Sequence, residues 1–171
     1  MSNWLAVRVI GTFLVLIVVF FFVLTWDPLL KVIDIGAALA QLSASMSYGV
    51  LKVIGALSDF PVHKMGTIMG SGDFEVDIAP ACSGAVPTSI YLAAVFAYPT
   101  SWRARGIGAA IGIGVIQLVN VFRVSALFLI GLFFHEIFHD THVYVAQALV
   151  VCVAVALWLY WATRFADAPA H

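Results

Sequence analysis

Long uncharged stretches alternate with short polar ones along this chain. Residues 9–26, 83–99, 106–134 and 143–162 are apolar almost throughout. A bilayer-crossing helix needs about 20 such residues, so each is predicted to span a membrane. A fifth stretch, 33–57, is ambiguous. It is rich in Ala, Ser and Gly and carries Asp34, Gln41 and Lys52. It either spans or lies along the interface as an amphipathic helix, and the interfacial or re-entrant placement is preferred. Between 60 and 81 the pattern changes. Gly70-Ser71-Gly72 signals a turn, and Phe74-Glu75-Val76-Asp77-Ile78 alternates apolar and acidic as a half-exposed strand does. The expected fold class is an all-α integral membrane protein: four to five transmembrane helices, an interfacial helix and a short extracytoplasmic hairpin, in one polytopic domain over residues 1–171.

Composition agrees and narrows the function. The chain is 63% hydrophobic and 10% charged, outside the range of ordinary soluble domains. Its net charge of −1 and lack of a basic block argue against a nucleic-acid partner. The first apolar run is too long for a signal-peptide core and shows no small-residue cleavage site, so it is read as an uncleaved anchor. Basic residues set the orientation. If 33–57 does not span, Arg8, Arg103, Arg105 and Arg164 all fall on the cytoplasmic side, with Asp59, Asp73, Glu75 and Asp77 outside. If it does span, the amino terminus moves outside, but the turn at Arg103 and Arg105 still leaves Cys82 and His142 outside.

The candidate chemistry sits at the ends of these spans. Cys82 lies in Ala79-Pro80-Ala81-Cys82-Ser83-Gly84, where a polar segment meets an apolar run. A helix amino terminus carries partial positive charge and favours an anionic nucleophile there; the alternative is an inert boundary thiol. Cys152, inside an apolar run, reads as a small filler. Arg123 is about 27 Å along the 106–134 helix from Arg105, in its outer half. An intramembrane arginine costs at least about 2.5–3.5 kcal/mol, so it is expected to face a partner or a wet cavity rather than lipid. Its alternative is to snorkel to lipid phosphates. Asn120 shares its helical face. The loop 134–142 holds His135, His139 and His142, any of which offers a general base. His135-Glu136-Ile137-Phe138-His139 also matches H-E-x-x-H, so a zinc protease with His142 or Asp140 as third ligand is a rival reading. A non-enzymatic membrane subunit, with Arg123 paired to an anionic group, is another. Gly106, Gly108, Gly112 and Gly114 form a small-residue strip, read first as internal packing and second as a docking face for a substrate helix.

The ordered set Cys82-Ser83-Gly84, Asn120-Val121-Phe122-Arg123 and His142-Val143-Tyr144-Val145-Ala146-Gln147 resembles the exosortase/archaeosortase family over about residues 66–162. The compact length and the His142 segment look like the exosortase H subgroup, which is paired with proteins bearing an IPTL-type carboxy-terminal signal. The resemblance implies a bacterial, multi-pass inner-membrane cysteine transpeptidase whose site faces the periplasm. It implies Cys82 as nucleophile, Arg123 as charge stabiliser and His142 as acid and base, with His139 the alternative base. Asn120, Ser83 and Gly84 would support them. The implied partners are an exported protein with a tripartite sorting signal (motif, spanning helix, basic tail), an acceptor molecule and the lipid bilayer. No metal or organic cofactor is required.

Overall fold

The computed structural model describes residues 3–26 and 34–166, without the side chains of residues 3, 139, 140 and 143. The start of the 33–57 stretch and the tail from 167, including His171, lie outside the described residues. The order is helix α1 (Asn3–Thr25), helix α2 (Ile35–Ser58), strands β1 (His63–Met65), β2 (Ile68–Ser71) and β3 (Phe74–Asp77), a 3-10 turn (Pro80–Cys82), then helices α3 (Ala85–Ala97), α4 (Trp102–Phe133) and α5 (His135–Asp140). A π turn (Thr141–Val145) and helix α6 (Ala146–Arg164) follow. The chain is mostly helical and belongs to the all-α integral membrane class. Among the described residues four helices are long and apolar enough to cross a bilayer: α1, α2, α4 and α6.

Two expectations about the spans change. The 83–99 run yields only the 13 residues of α3, about 20 Å of helix and short of a full span. Its first residues are used by the turn around Cys82 and by Gly84, and Pro99 lies just past its end. The 33–57 stretch, preferred as interfacial, is a 24-residue helix of spanning length. It buries Gly36, Ala40, Ser43, Ala44, Ser47, Leu51 and Gly55, one face recurring every three or four residues. Ser43 and Ser47, two of the serines that dilute its hydropathy, therefore point inward, while Ser45 and Ser58 are exposed.

The chain divides into two compact units. The first comprises Met1–Asp34, Val86–Ile116 and Cys152–His171. Here α1 exposes Trp4, Val7, Ile10, Leu14, Val18 and Phe21, as a helix apolar on all sides does when lipid is its neighbour. The rest is organised by aromatic residues laid over glycines of α4. The Tyr91 ring lies on Gly112 and its hydroxyl donates to the Gly108 carbonyl at 3.1 Å. The fully buried Trp161 covers Gly108 and donates from Nε1 to the Ala104 carbonyl at 2.9 Å. Tyr98 meets Trp161 edge-on at 5.8 Å. Gly108 and Gly112 thus serve packing, while Gly106 and Gly114 face open space. Ser101 caps α4, its Oγ accepting from the Ala104 amide at 3.3 Å.

The second unit comprises Ile35–Ala85 and Gln117–Val151. Its core joins Ala40, Ala44 and Leu51 of α2 to Met69, Ile78, Val124 and Phe128. The expected hairpin is a three-stranded antiparallel meander, β1-β2-β3. Ser71 pairs with Phe74 across the anticipated turn, and Met65 with Ile68 across a second one. Each turn opens on a glycine at positive φ, Gly72 and Gly66, the conformation that a tight hairpin needs at its first central residue. Glu75 and Asp77 are exposed while Phe74 and Val76 turn inward, as the alternation predicts. His63 stands opposite Gly70, whose other neighbour is Glu75, so His63 and Glu75 meet over the glycine at 3.3 Å.

Candidate active site

Every proposed site residue lies in the second unit. Cys82 ends the 3-10 turn that Pro80 opens. Its own amide bonds the Ala79 carbonyl at 2.8 Å and the Ser83 amide bonds Pro80 at 3.1 Å. The thiol is half-buried against the core of Ala44, Ile78, Val124 and their neighbours. It lies three residues ahead of α3 rather than in its first turn.

The next two residues explain why Cys-Ser-Gly is a unit. Ser83 is fully buried, and its Oγ accepts from the Ala85 amide at 3.2 Å. That satisfies one of the donors a helix start leaves open. Gly84 has φ +79, in the left-handed region. A Cβ there would lie 2.6 Å from Gln117 Oε1 and 3.3 Å from Asn120 Cγ. Only glycine supplies both the backbone conformation and the close approach to α4.

Asn120 is fully buried. Its Nδ2 donates to the Cys82 carbonyl at 2.9 Å and to Ser43 Oγ at 3.3 Å. Ser43 Oγ in turn donates to the Ser83 carbonyl at 3.4 Å. Asn120 therefore holds the backbone of Cys82. Ser47 Oγ donates to the Val121 carbonyl at 3.2 Å, a second tie between α2 and α4.

Arg123 is only 7% exposed, and its Nε has no partner among the described residues. Asn120 Oδ1, Gln117 Oε1 and Ser125 Oγ are likewise buried without one. A buried guanidinium without a carboxylate partner is costly to keep. This arginine does not snorkel. It lies one turn beyond Asn120 on α4, the helix whose Asn120 side chain bonds the Cys82 carbonyl.

His142 lies in the π turn and is half-buried. Its ring stacks on Phe138 at 5.9 Å. Phe138 meets Phe74 at 6.2 Å, and Phe74 meets Phe128 of the core at 5.5 Å. Aromatic packing thus ties the histidine to the core against which Cys82 rests. Among the described residues no hydrogen bond links Cys82 or Arg123 directly to His142. His135 is exposed and meets Phe74 edge-on at 6.3 Å, and Glu136 is exposed. The side chains of His139 and Asp140 lie outside the described residues.

Ser43, Gln117 and Phe74 at the site, and the helix-to-helix tie made by Ser47, were not anticipated from sequence. The available signal was the small-residue face of α2, which groups Ser43 and Ser47 with Ala40 and Ala44.

Together these features define a class: a multi-pass α-helical membrane protein with a half-buried thiol held by a helix that also carries a buried arginine. The family description that matches the chain, over residues 4–161, is the transmembrane exosortase. The chain belongs to that family. No curated protein and no solved structure matches it.

Proposed function

We propose that this protein is a cysteine transpeptidase that cleaves the carboxy-terminal sorting signal of exported proteins and passes the new carboxyl end to an acceptor. The observation that carries the reading is the Asn120 bond to the Cys82 carbonyl. It joins the thiol's turn to the helix bearing the buried Arg123. The substrate signal is of the IPTL type, following the exosortase H resemblance. The protein works in the bacterial inner membrane with its site toward the periplasm.

In the mechanism, Cys82 gives its proton to His142 and the thiolate attacks the scissile carbonyl. A C–S bond forms, and the negative charge on the former carbonyl oxygen is stabilised by Arg123. The tetrahedral adduct collapses, the C–N bond breaks, and His142 protonates the leaving amine. The remaining thioester is attacked by an amine or hydroxyl of the acceptor, whose proton passes to His142. The C–S bond then breaks and the thiolate is restored. The scheme requires no metal, and His135 and Glu136 are exposed at the start of α5.

The test is co-expression of a tagged protein bearing an IPTL-type signal with wild type, Cys82→Ala or Glu136→Ala, followed by its size on a gel. Loss of cleavage in Cys82→Ala alone is the expected result. Loss in Glu136→Ala alone would replace the thiol with a metalloprotease.

A further inference from the structure

Ser43 precedes Cys82 by 39 residues, in a helix outside the region carrying the family motifs. Its hydroxyl accepts from Asn120 Nδ2 at 3.3 Å and donates to the Ser83 carbonyl at 3.4 Å. The same Asn120 amide donates to the Cys82 carbonyl at 2.9 Å. The donors balance: two N–H bonds of one amide reach Cys82 and Ser43, and the single hydroxyl hydrogen of Ser43 reaches Ser83. Ser43, Ser83 and Asn120 are all fully buried, so water does not compete for these groups. Two consecutive carbonyls, that of the nucleophile and that of its neighbour, are thereby held by side chains of α2 and α4.

The next backbone unit is fixed as well. Gly84 is in the left-handed region and pressed against Gln117 and Asn120. With the peptide planes on the carboxyl side of Cys82 locked, the thiol's position depends on its own side-chain torsion. If Ser43 lost its hydroxyl, the Ser83 carbonyl would lose a buried donor and the Asn120 amide would lose one of its two acceptors. The amide could then turn away from Cys82.

We infer that Ser43 is a positioning residue for the nucleophile: through Asn120 and the Ser83 carbonyl it holds Cys82 Sγ in one attack geometry. The inference rests on the thiol reading of the site. It assigns α2 a part in the reaction, although Ser43 has no contact with the reacting atoms.

Ser47 supplies the control. It is on the same helix, is also fully buried, and its hydroxyl bonds the Val121 carbonyl of α4 rather than the Cys82 turn. Ser47→Ala therefore measures what a lost buried hydroxyl does to the fold alone. Two readouts are taken on the full chain in membranes. One is the kcat and KM of signal processing. The other is the rate of Cys82 alkylation by a small maleimide in a Cys152→Ser background, where Cys82 is the only thiol. Ser43→Ala is expected to lower kcat about tenfold or more with KM unchanged, and to change the alkylation rate several-fold. Ser47→Ala should leave both readouts within about twofold of wild type, since a site untouched by the change keeps its geometry. Equal effects of the two substitutions, or a Cys82-dependent enzyme indifferent to Ser43→Ala, would overturn this inference alone. Processing that survives Cys82→Ala would overturn the thiol reading and this inference with it.

Discussion

Arg105 and Arg123 lie on the same helix, and the two units treat them differently. In the first unit, Arg105 donates from Nη2 to the Tyr98 carbonyl at 3.1 Å and stacks over Trp102 at 4.8 Å. Its neighbours Tyr91 and Trp161 likewise place their polar atoms on carbonyls of α4. Those groups hold helices together. Each unit also leaves buried polar atoms without a partner among the described residues: Arg105 Nε and Trp158 Nε1 in the first, and Arg123 Nε, Asn120 Oδ1, Gln117 Oε1 and Ser125 Oγ in the second. An interior built only for stability would pair such groups or replace them with apolar ones. The difference lies in where they fall: those of the second unit all lie on α4 between residues 117 and 125, around the side chain that holds the Cys82 carbonyl.

The largest break in that comparison should come from the thiol itself. Cys82→Ala is expected to abolish processing, while a membrane-fraction blot shows the protein at its wild-type level. Arg123 follows. Arg123→Lys should lower processing by about 100-fold or more, because an ammonium does not reproduce a planar, multi-donor guanidinium. Arg123→Met should be as inactive yet as stable as wild type, or more so by about 1–4 kcal/mol, since it removes a buried charge that no carboxylate among the described residues pairs with. Thermal unfolding in detergent beside the processing assay checks both. A large loss of stability in Arg123→Met would make Arg123 structural, like Arg105.

Gly84→Ala sharpens the comparison at the next level. It should lose activity and about 1–3 kcal/mol of stability together, because a Cβ is strained at that φ and meets Gln117. The smallest effect belongs to the packing unit. Trp161→Phe keeps most of the ring but loses the bond to Ala104, for about 0.5–1.5 kcal/mol. Processing should stay near wild type once the protein is folded. A Trp161→Phe enzyme that is stable but inactive would erase the distinction between the units.

Much of this was readable in the sequence where the signal is local. Long apolar runs gave α1, α4 and α6. Glycine before Asp73 gave one turn, and alternation gave β3. Cys82 stands out as a thiol at a span boundary, and Ser83 and Gly84 enter through the family resemblance, although the close approach of Gly84 to α4 needs three dimensions. What escaped depends on long-range pairing. β1 is three residues of mixed character, too short to announce itself. Ser43 and Ser47 of α2 looked like the polar side of an interfacial helix, yet they lie on its inner face, satisfied by Asn120, Ser83 and Val121. Apolar count overestimated α3 because hydropathy does not register a left-handed glycine or a helix-ending proline. Asn120 was placed near the chemistry by its position on the Arg123 face, but its partner, the Cys82 carbonyl, lies 38 residues away in sequence.

The most direct test of the central claim is to trap the acyl-enzyme. Wild-type protein and a signal-bearing substrate would be mixed in membranes and quenched in acid. The enzyme would then be digested and its peptides weighed by mass spectrometry with and without neutral hydroxylamine. The thiol mechanism predicts a substrate-derived mass on the Cys82 peptide that hydroxylamine removes, as it does a thioester. Cleavage of the substrate with an unmodified Cys82 peptide at every time point, and cleavage persisting in Cys82→Ala, would contradict it.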